Sequence, residues 1–288
     1  MNTSPEGTDS ESERARPGHW REVARQWRHI GPPLRPAAED VELCAKAVRE
    51  WSDGRAAPRV LLLGVTPELF HMPWPEGTDF IAADHTPAMI ESVWPGPKDA
   101  VLYTEWLDLA LPRGSRDIVL CDGGLHLLPY RKEQQRLVDI LRGIIAEGGL
   151  CVFRLFLPGE RRESPDAVID DLFAGKVPNL NVLKFRLWMA LAGSASEGVS
   201  LATVWRAVHD AAGGIEALAD RTGWPVEHTL AINTYRDSKA RYYFATLDEV
   251  KELFCGGRGG FEVHRLLVPS YELGEQCPTI VLRRSSKA

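Results

Sequence analysis

Two periodicities divide this chain. Five stretches are apolar through their centres without helical spacing: Val60 to Gly64, Asp79 to Asp84, Ala100 to Tyr103, Arg116 to Cys121 and Leu150 to Phe156. Such runs suit parallel strands buried on both faces. Around them, apolar residues recur at helical intervals. Trp20, Val23, Ala24, Trp27 and Ile30 mark one face of a helix over 19–30. Val41, Cys44, Ala45, Ala47 and Val48 mark a second, from Ala37 to about Trp51. Thr86 followed by Pro87 opens a third, with the cap and the first-turn proline in their preferred places. Residues 131–146 form a longer amphipathic helix. Pro73 and Pro75 leave room for only a short helix after the first strand. Strands alternating with helices predict an α/β fold: a doubly wound, mostly parallel sheet with right-handed crossovers.

From Pro158 to about Ala240 the pattern turns helical, with helices expected over 166–173, 181–192, 201–212 and 215–222. This reads as an insertion lying over the carboxyl ends of the strands. Thr246 and Glu249 then form a capping box, and Phe261 to Val268 and Thr279 to Arg283 read as a closing pair of strands. The expected organisation is a disordered tail over 1–16, N-terminal helices and a ligand-binding core over 17–157, the insertion over 158–240, and the end of the core over 241–288. Between the first two helices, Gly31-Pro-Pro-Leu-Arg-Pro36 is an extended segment able to lie over a ligand. Trp20, Trp27, Lys184 and Trp188 fall on helices, and the aromatics read there as packing.

Charge and cysteine usage narrow the classes. A net charge of −6 argues against a broad nucleic-acid-binding surface, so a nucleic-acid partner is not expected. The five cysteines show no paired spacing, which fits buried thiols and a reducing, cytoplasmic setting. The first residues carry no apolar signal core, and no later run approaches a membrane span. A homodimer is left open.

Candidate chemistry gathers at the strand ends, where an open α/β sheet binds ligands. Gly64, Asp84, Glu105 and Asp122 all fall there. An acid twenty residues after a strand–glycine turn is placed to accept hydrogen bonds from ribose hydroxyls, so Asp84 points to a nucleoside. The turn Gly64-Val65-Thr66-Pro67 lacks the second and third glycines that a dinucleotide pyrophosphate demands, and no phosphate-binding Gly-Lys-Ser/Thr follows. S-adenosylmethionine (SAM), a nucleoside without phosphate, asks for only one tight turn.

On these residues the chain resembles the class I SAM-dependent methyltransferases over 40–157 and again over 246–284. Val60-Leu-Leu-Leu-Gly64 resembles the family's first motif and Ile81-Ala-Ala-Asp84 its second-strand acid, followed by a similar helix start at Thr86-Pro-Ala-Met89. Glu105-Trp106 is similar to the acidic position near the adenine, and Asp117-Ile-Val-Leu-Cys-Asp122 to the fourth-strand motif. Ile145-Ala-Glu-Gly-Gly149 is similar to the turn before the fifth strand. The resemblance implies a seven-stranded sheet with a reversed last strand, SAM as methyl donor, and S-adenosylhomocysteine (SAH) as product. It places Gly64, Thr66, Asp84, His85, Glu105, Trp106 and Asp122 around the cofactor. The chain departs from the family at Thr66, where a second glycine is usual, and at Leu62, where the first strand usually carries an acid. Arg35, or the backbone around Gly64, is then the candidate holder of the methionine end.

Methyl transfer from a sulfonium is a direct displacement. It needs alignment, exclusion of water and, where the nucleophile carries a proton, a base. Asp122, His126 and Tyr242 are the candidates near the reacting atoms. Arg154, Tyr235, Arg236, Arg241 and Tyr271 combine cations and aromatics suited to a small substrate bearing a carboxylate. No pair of ligands has a metal-site spacing, so no metal is expected. Binding of SAM or a nucleoside without transfer, and methylation of protein or RNA, are the alternatives.

Overall fold

The computed structural model describes residues 17–257 and 259–285, so the expected tail over 1–16 lies outside the described residues. Seven strands form one sheet: β1 (Arg59–Leu63), β2 (Asp79–Asp84), β3 (Val101–Tyr103), β4 (Arg116–Asp122), β5 (Ile145–Arg154), β6 (Phe261–Leu267) and β7 (Thr279–Arg284). Their order is β3-β2-β1-β4-β5-β7-β6. The first five pair in parallel, and β7 runs antiparallel to both of its neighbours. The sheet is therefore mostly parallel with a reversed last strand. The central residues Leu61, Leu62, Ile118, Leu120 and Val152 are buried on both of its faces.

Helices cover the two faces. In chain order they are α1 (Pro17–Arg25), α2 (Ala38–Ser52), α3 (Pro67–Phe70), α4 (Pro87–Ser92) and α5 (Lys132–Ile144). The insertion supplies α6 (Pro165–Phe173), α7 (Leu180–Leu191), α8 (Leu201–Ala212), α9 (Ile215–Thr222) and α10 (Val226–Leu230) before α11 (Leu247–Cys255) returns to the sheet. The insertion has its own apolar cluster, around Leu183, Phe185, Leu187, Val204 and Ile232. The Thr246–Glu249 capping box forms on α11. Among the described residues no helix is long and apolar enough to cross a membrane.

Three departures from periodicity have local causes. The expected helix over 19–30 breaks at Gln26 and continues as a 3-10 turn, Trp27–His29. There Arg35 lies over the Trp27 ring and donates to the carbonyls of Trp27 and Ile30. Strand β5 begins at Ile145 rather than Leu150, and the expected turn at Gly148-Gly149 is an irregularity in its pairing with β4. Val199–Ser200 pairs antiparallel with Arg241–Tyr242, joining the middle of the insertion to the segment that follows it. A two-residue ladder is too short for any periodicity to announce.

One buried network ties these layers together. Arg154 ends β5 and is 3% exposed. Its Nε donates to Asp122 of β4 at 2.5 Å and its Nη1 to the carbonyl of Pro33 at 3.0 Å. The same Nη1 lies 3.8 Å from Asp40 of α2. Asp40 in turn accepts from the Tyr271 hydroxyl at 2.9 Å and from the backbone N–H of Ala37. Burial opposes the guanidinium charge, but the carboxylates of Asp122 and Asp40 outweigh it and keep Arg154 protonated.

Removing one partner of a buried pair strands the other's charge. Arg154→Met is therefore expected to cost about 3–5 kcal/mol, read as a fall in the urea midpoint at pH 7. A variant of unchanged stability would show that Arg154 holds no structural charge.

Candidate active site

The strand ends of the sheet, the helix α1 and the insertion enclose one large cavity. Its empty space is about 1520 Å³ with its mouth included. Its lining comes from both the strand ends and the insertion. Helix α1 packs on α4 toward the core and on the 3-10 turn Ala231–Tyr235 toward the insertion, roofing the space between them.

The core side carries the strand-end residues that the sequence singles out. Gly64 follows β1 at φ +88, and its N–H donates to the carbonyl of Ala83. A Cβ there would meet only the Trp106 ring, at 3.8 Å, so the left-handed backbone rather than crowding calls for glycine. Asp84 ends β2. Its Oδ1 accepts from the Thr86 N–H at 2.8 Å, and the Thr86 side chain adds a further hydrogen bond to the carboxylate. Burial raises its carboxyl, against the pull of that N–H. His85 and Glu105 face each other at 3.5 Å. Trp106 fixes its indole by donating to the Ala83 carbonyl at 2.9 Å. Its ring fills the space in front of Gly124, where a Cβ would come within 2.7 Å of it. Thr66 and Asp122 complete this wall. Burial pushes the Asp122 carboxyl up, and Arg154 pulls it back down.

The opposite wall is aromatic and comes mainly from the insertion and its return. His126 packs against Tyr242 with centroids 4.6 Å apart, stacks on Phe244 at 5.3 Å and tilts against Phe156 at 5.1 Å. Trp188 meets Tyr242 edge-on at 5.1 Å and stacks with Tyr235 at 6.4 Å. His126 Nδ1 is buried without a hydrogen-bond partner. Burial, with Arg154 adding to it, lowers this imidazole to about 3. His19, 3.4 Å from the Tyr242 hydroxyl, is lowered to about 4, again by burial first. Burial raises the Tyr242 and Tyr235 hydroxyls. At neutral pH this wall therefore presents neutral imidazoles and protonated phenols.

Of the residues singled out in the sequence, Gly64, Thr66, Asp84, His85, Glu105, Trp106, Asp122, His126, Tyr235 and Tyr242 all line the cavity. Five do not, because each is held elsewhere. Arg35 is paired with Glu68 at 2.5 Å, and Arg154 sits behind Asp122 in the network described above. Arg236 lies over the outer Trp205 ring at 5.3 Å, Arg241 donates to the Glu197 carbonyl, and Tyr271 is fixed on Asp40. Asp108 points away to Arg136. Sequence reading missed Trp20, Gln26, Trp27, Glu133 and Lys184, which all line the cavity. Trp20 and Trp27 passed for packing residues. Lys184 did carry a signal: a lysine inside the otherwise apolar run Leu180-Asn-Val-Leu-Lys-Phe185. Among the described residues no group of three or more His, Cys, Asp or Glu side chains comes together as a metal site.

No protein-family model matches the chain, and no curated protein matches it in sequence. Solved structures do match in fold. One is the CcbJ methyltransferase from Streptomyces caelestis, at TM-score 0.55 and 14% identity over 93% of this chain and 98% of that one. Another is the N-methyltransferase NodS from Bradyrhizobium japonicum, in complex with SAH, at TM-score 0.50 and 10% identity with the same coverage. A third, from Rhodobacter sphaeroides, is described as a zinc-dependent alcohol dehydrogenase and matches at TM-score 0.59 and 13% identity, again over 93% and 98%. Identities this low speak for the fold. With its sheet order and reversed seventh strand, the chain has the class I, Rossmann-like fold of the SAM-dependent methyltransferases.

The buried imidazoles make stability depend on pH. The unfolded chain takes up a proton at each near pH 6.5, whereas folded His19 and His126 resist protonation down to about 4 and 3. Stability is therefore lost as pH falls from 6.5 toward 4. His126→Phe, which keeps the ring packing, is expected to reduce that loss by about 2–3 kcal/mol at pH 4. Urea titrations at several pH values read this directly, and an unchanged slope would mean that His126 is not held neutral.

Proposed function

We propose that this protein is a SAM-dependent methyltransferase acting on O, N or S of a small-molecule acceptor. The observation that carries the reading is the two-sided cavity. A single-glycine turn and a buried carboxylate lie at adjacent strand ends, facing an aromatic compartment. Asp84 is placed to accept from ribose hydroxyls, and Trp106 with Glu105 to border the adenine. Asp122 and Thr66 lie toward the remainder of the cofactor. When bound, SAM supplies a methyl group on a sulfonium: the S–CH3 bond breaks as the bond from the acceptor forms, leaving SAH.

This chain's residues then have three tasks. The α1 roof and the insertion exclude water and align the acceptor. The aromatic wall favours a positively charged sulfonium beside it. Neutral His126, with its free Nδ1, can take a hydrogen bond from an acceptor or donate one to it. An imidazole lowered to about 3 is too weak a base to hold a proton at pH 7. The reading therefore favours acceptors that are already nucleophilic and need no protein base.

A nicotinamide dinucleotide is the less suitable occupant. After Gly64 come Val65, Thr66 and Pro67, and α3 is four residues long, so few amides are presented to a pyrophosphate. The cysteines are free, in keeping with a reducing compartment, and we read the protein as cytoplasmic.

Calorimetry with SAM and SAH tests the proposal. Both are expected to bind the folded wild type, and Asp84→Ala to weaken binding at least tenfold. Absence of binding to either ligand would overturn the reading. Unchanged affinity in folded Asp84→Ala would overturn the ribose assignment.

A further inference from the structure

The cavity walls include one lysine or arginine, Lys184. It stands in α7, a helix buried along nearly its whole length, and is itself only 4% exposed. Its Nζ lies over the face of Tyr235, 5.3 Å from the ring centroid. Among the described residues no carboxylate pairs with it, although Asp84, Glu105, Asp122 and Glu133 line the same cavity. Burial lowers the ammonium to about 8, so most of it remains charged at neutral pH. Burial first, and this charge as a smaller cause, disfavour protonation of His19. Among the described residues the other buried cations are provided for: Arg154 by Asp122, Arg186 by Glu163 and Asp171, and Arg284 by the carbonyls of Arg142, Gly260 and Ser285. An unpaired buried ammonium costs stability that a methionine of similar shape would not. Among the described residues, Lys184 is thus a buried charge without a carboxylate partner.

The surroundings say what kind of partner fits. Trp188 stands one helical turn beyond Lys184 and stacks with Tyr235. Tyr242 and His126 continue the same wall. A cation therefore sits at the edge of a compartment of flat rings, across the cavity from the strand-end acids.

We propose that Lys184 anchors the acceptor, and that the acceptor is a flat aromatic molecule bearing a carboxylate. The carboxylate pairs with the ammonium, and the ring lies among Tyr235, Trp188 and Tyr242. Calling the ligand an acceptor rests on the methyltransferase reading; the anion site does not. The methionine carboxylate of SAM carries the same chemistry, and the experiment separates the two.

Calorimetry is run with 2-naphthoate and its uncharged isostere 2-naphthamide, with and without saturating SAH, on wild type, Lys184→Met and Lys184→Arg. Wild type is expected to prefer naphthoate at least tenfold. Lys184→Met should lose that preference, retain SAH affinity within about twofold and melt no lower than wild type. Lys184→Arg should keep the preference. If wild type binds amide and carboxylate alike, the proposal is wrong. If Lys184→Met loses SAH affinity tenfold while naphthoate binding is unchanged, Lys184 holds the cofactor's carboxylate and the proposal is again overturned. Failure of wild type to bind SAH would strike the methyltransferase reading alone, because naphthoate binding without SAH still reads the anion site.

Discussion

The arrangement of this molecule depends on a guanidinium that cannot be left alone. Arg154 ends a strand flanked on both sides by others, in a place water does not reach. Its charge is held by Asp122 on the neighbouring strand, with the Pro33 carbonyl and Asp40 beside it. These partners come from segments far apart in the chain. Because a buried charge is tolerable only when its partners are in place, the 31–36 loop, α2, β4 and β5 are held in one relative position. Tyr271 extends the same constraint to the loop between β6 and β7 by donating to Asp40.

That constraint shapes the cavity. The loop pinned by Arg154 contributes Leu34 to the cavity wall, and Asp122 presents its carboxylate at the strand end while bonded behind. Acids thus collect along the sheet, where strands end and polar groups remain available. The insertion faces them with rings, because its helices must first bury an apolar cluster of their own. Dry surroundings hold His19 and His126 neutral and Tyr242 and Tyr235 protonated. A cavity of this kind positions and desolvates its contents and offers little protein base, which suits a displacement whose driving force resides in the leaving sulfonium.

Most of the sheet was legible because each central strand is apolar on both faces, a pattern that needs no knowledge of neighbours. The helices over 201–212 and 215–222 were legible for the same local reason. The break in the first helix was not, since Arg35 reaches back from within the proline segment to the carbonyls of Trp27 and Ile30. The candidate site divides along the same line. Gly64, Asp84, Glu105 and Asp122 could be placed because parallel topology alone brings strand ends to one edge. Arg35, Arg154, Arg236, Arg241 and Tyr271 could not, because a long polar side chain turns toward whichever partner folding sets beside it.

By itself, then, the sequence determined the alternation of elements, the strand ends where a glycine turn and acids gather, and the helical character of the insertion. All of these follow from periodicity, turn residues and spacing within a few tens of residues. The tertiary structure alone decided which charges are consumed inside the protein and which remain for a ligand. Arg154 and Arg186 meet carboxylates and are spent there, whereas Lys184 meets only the face of Tyr235. Whether a cation is structural or available depends on groups brought within a few ångströms by the fold, and no local pattern along the chain records that.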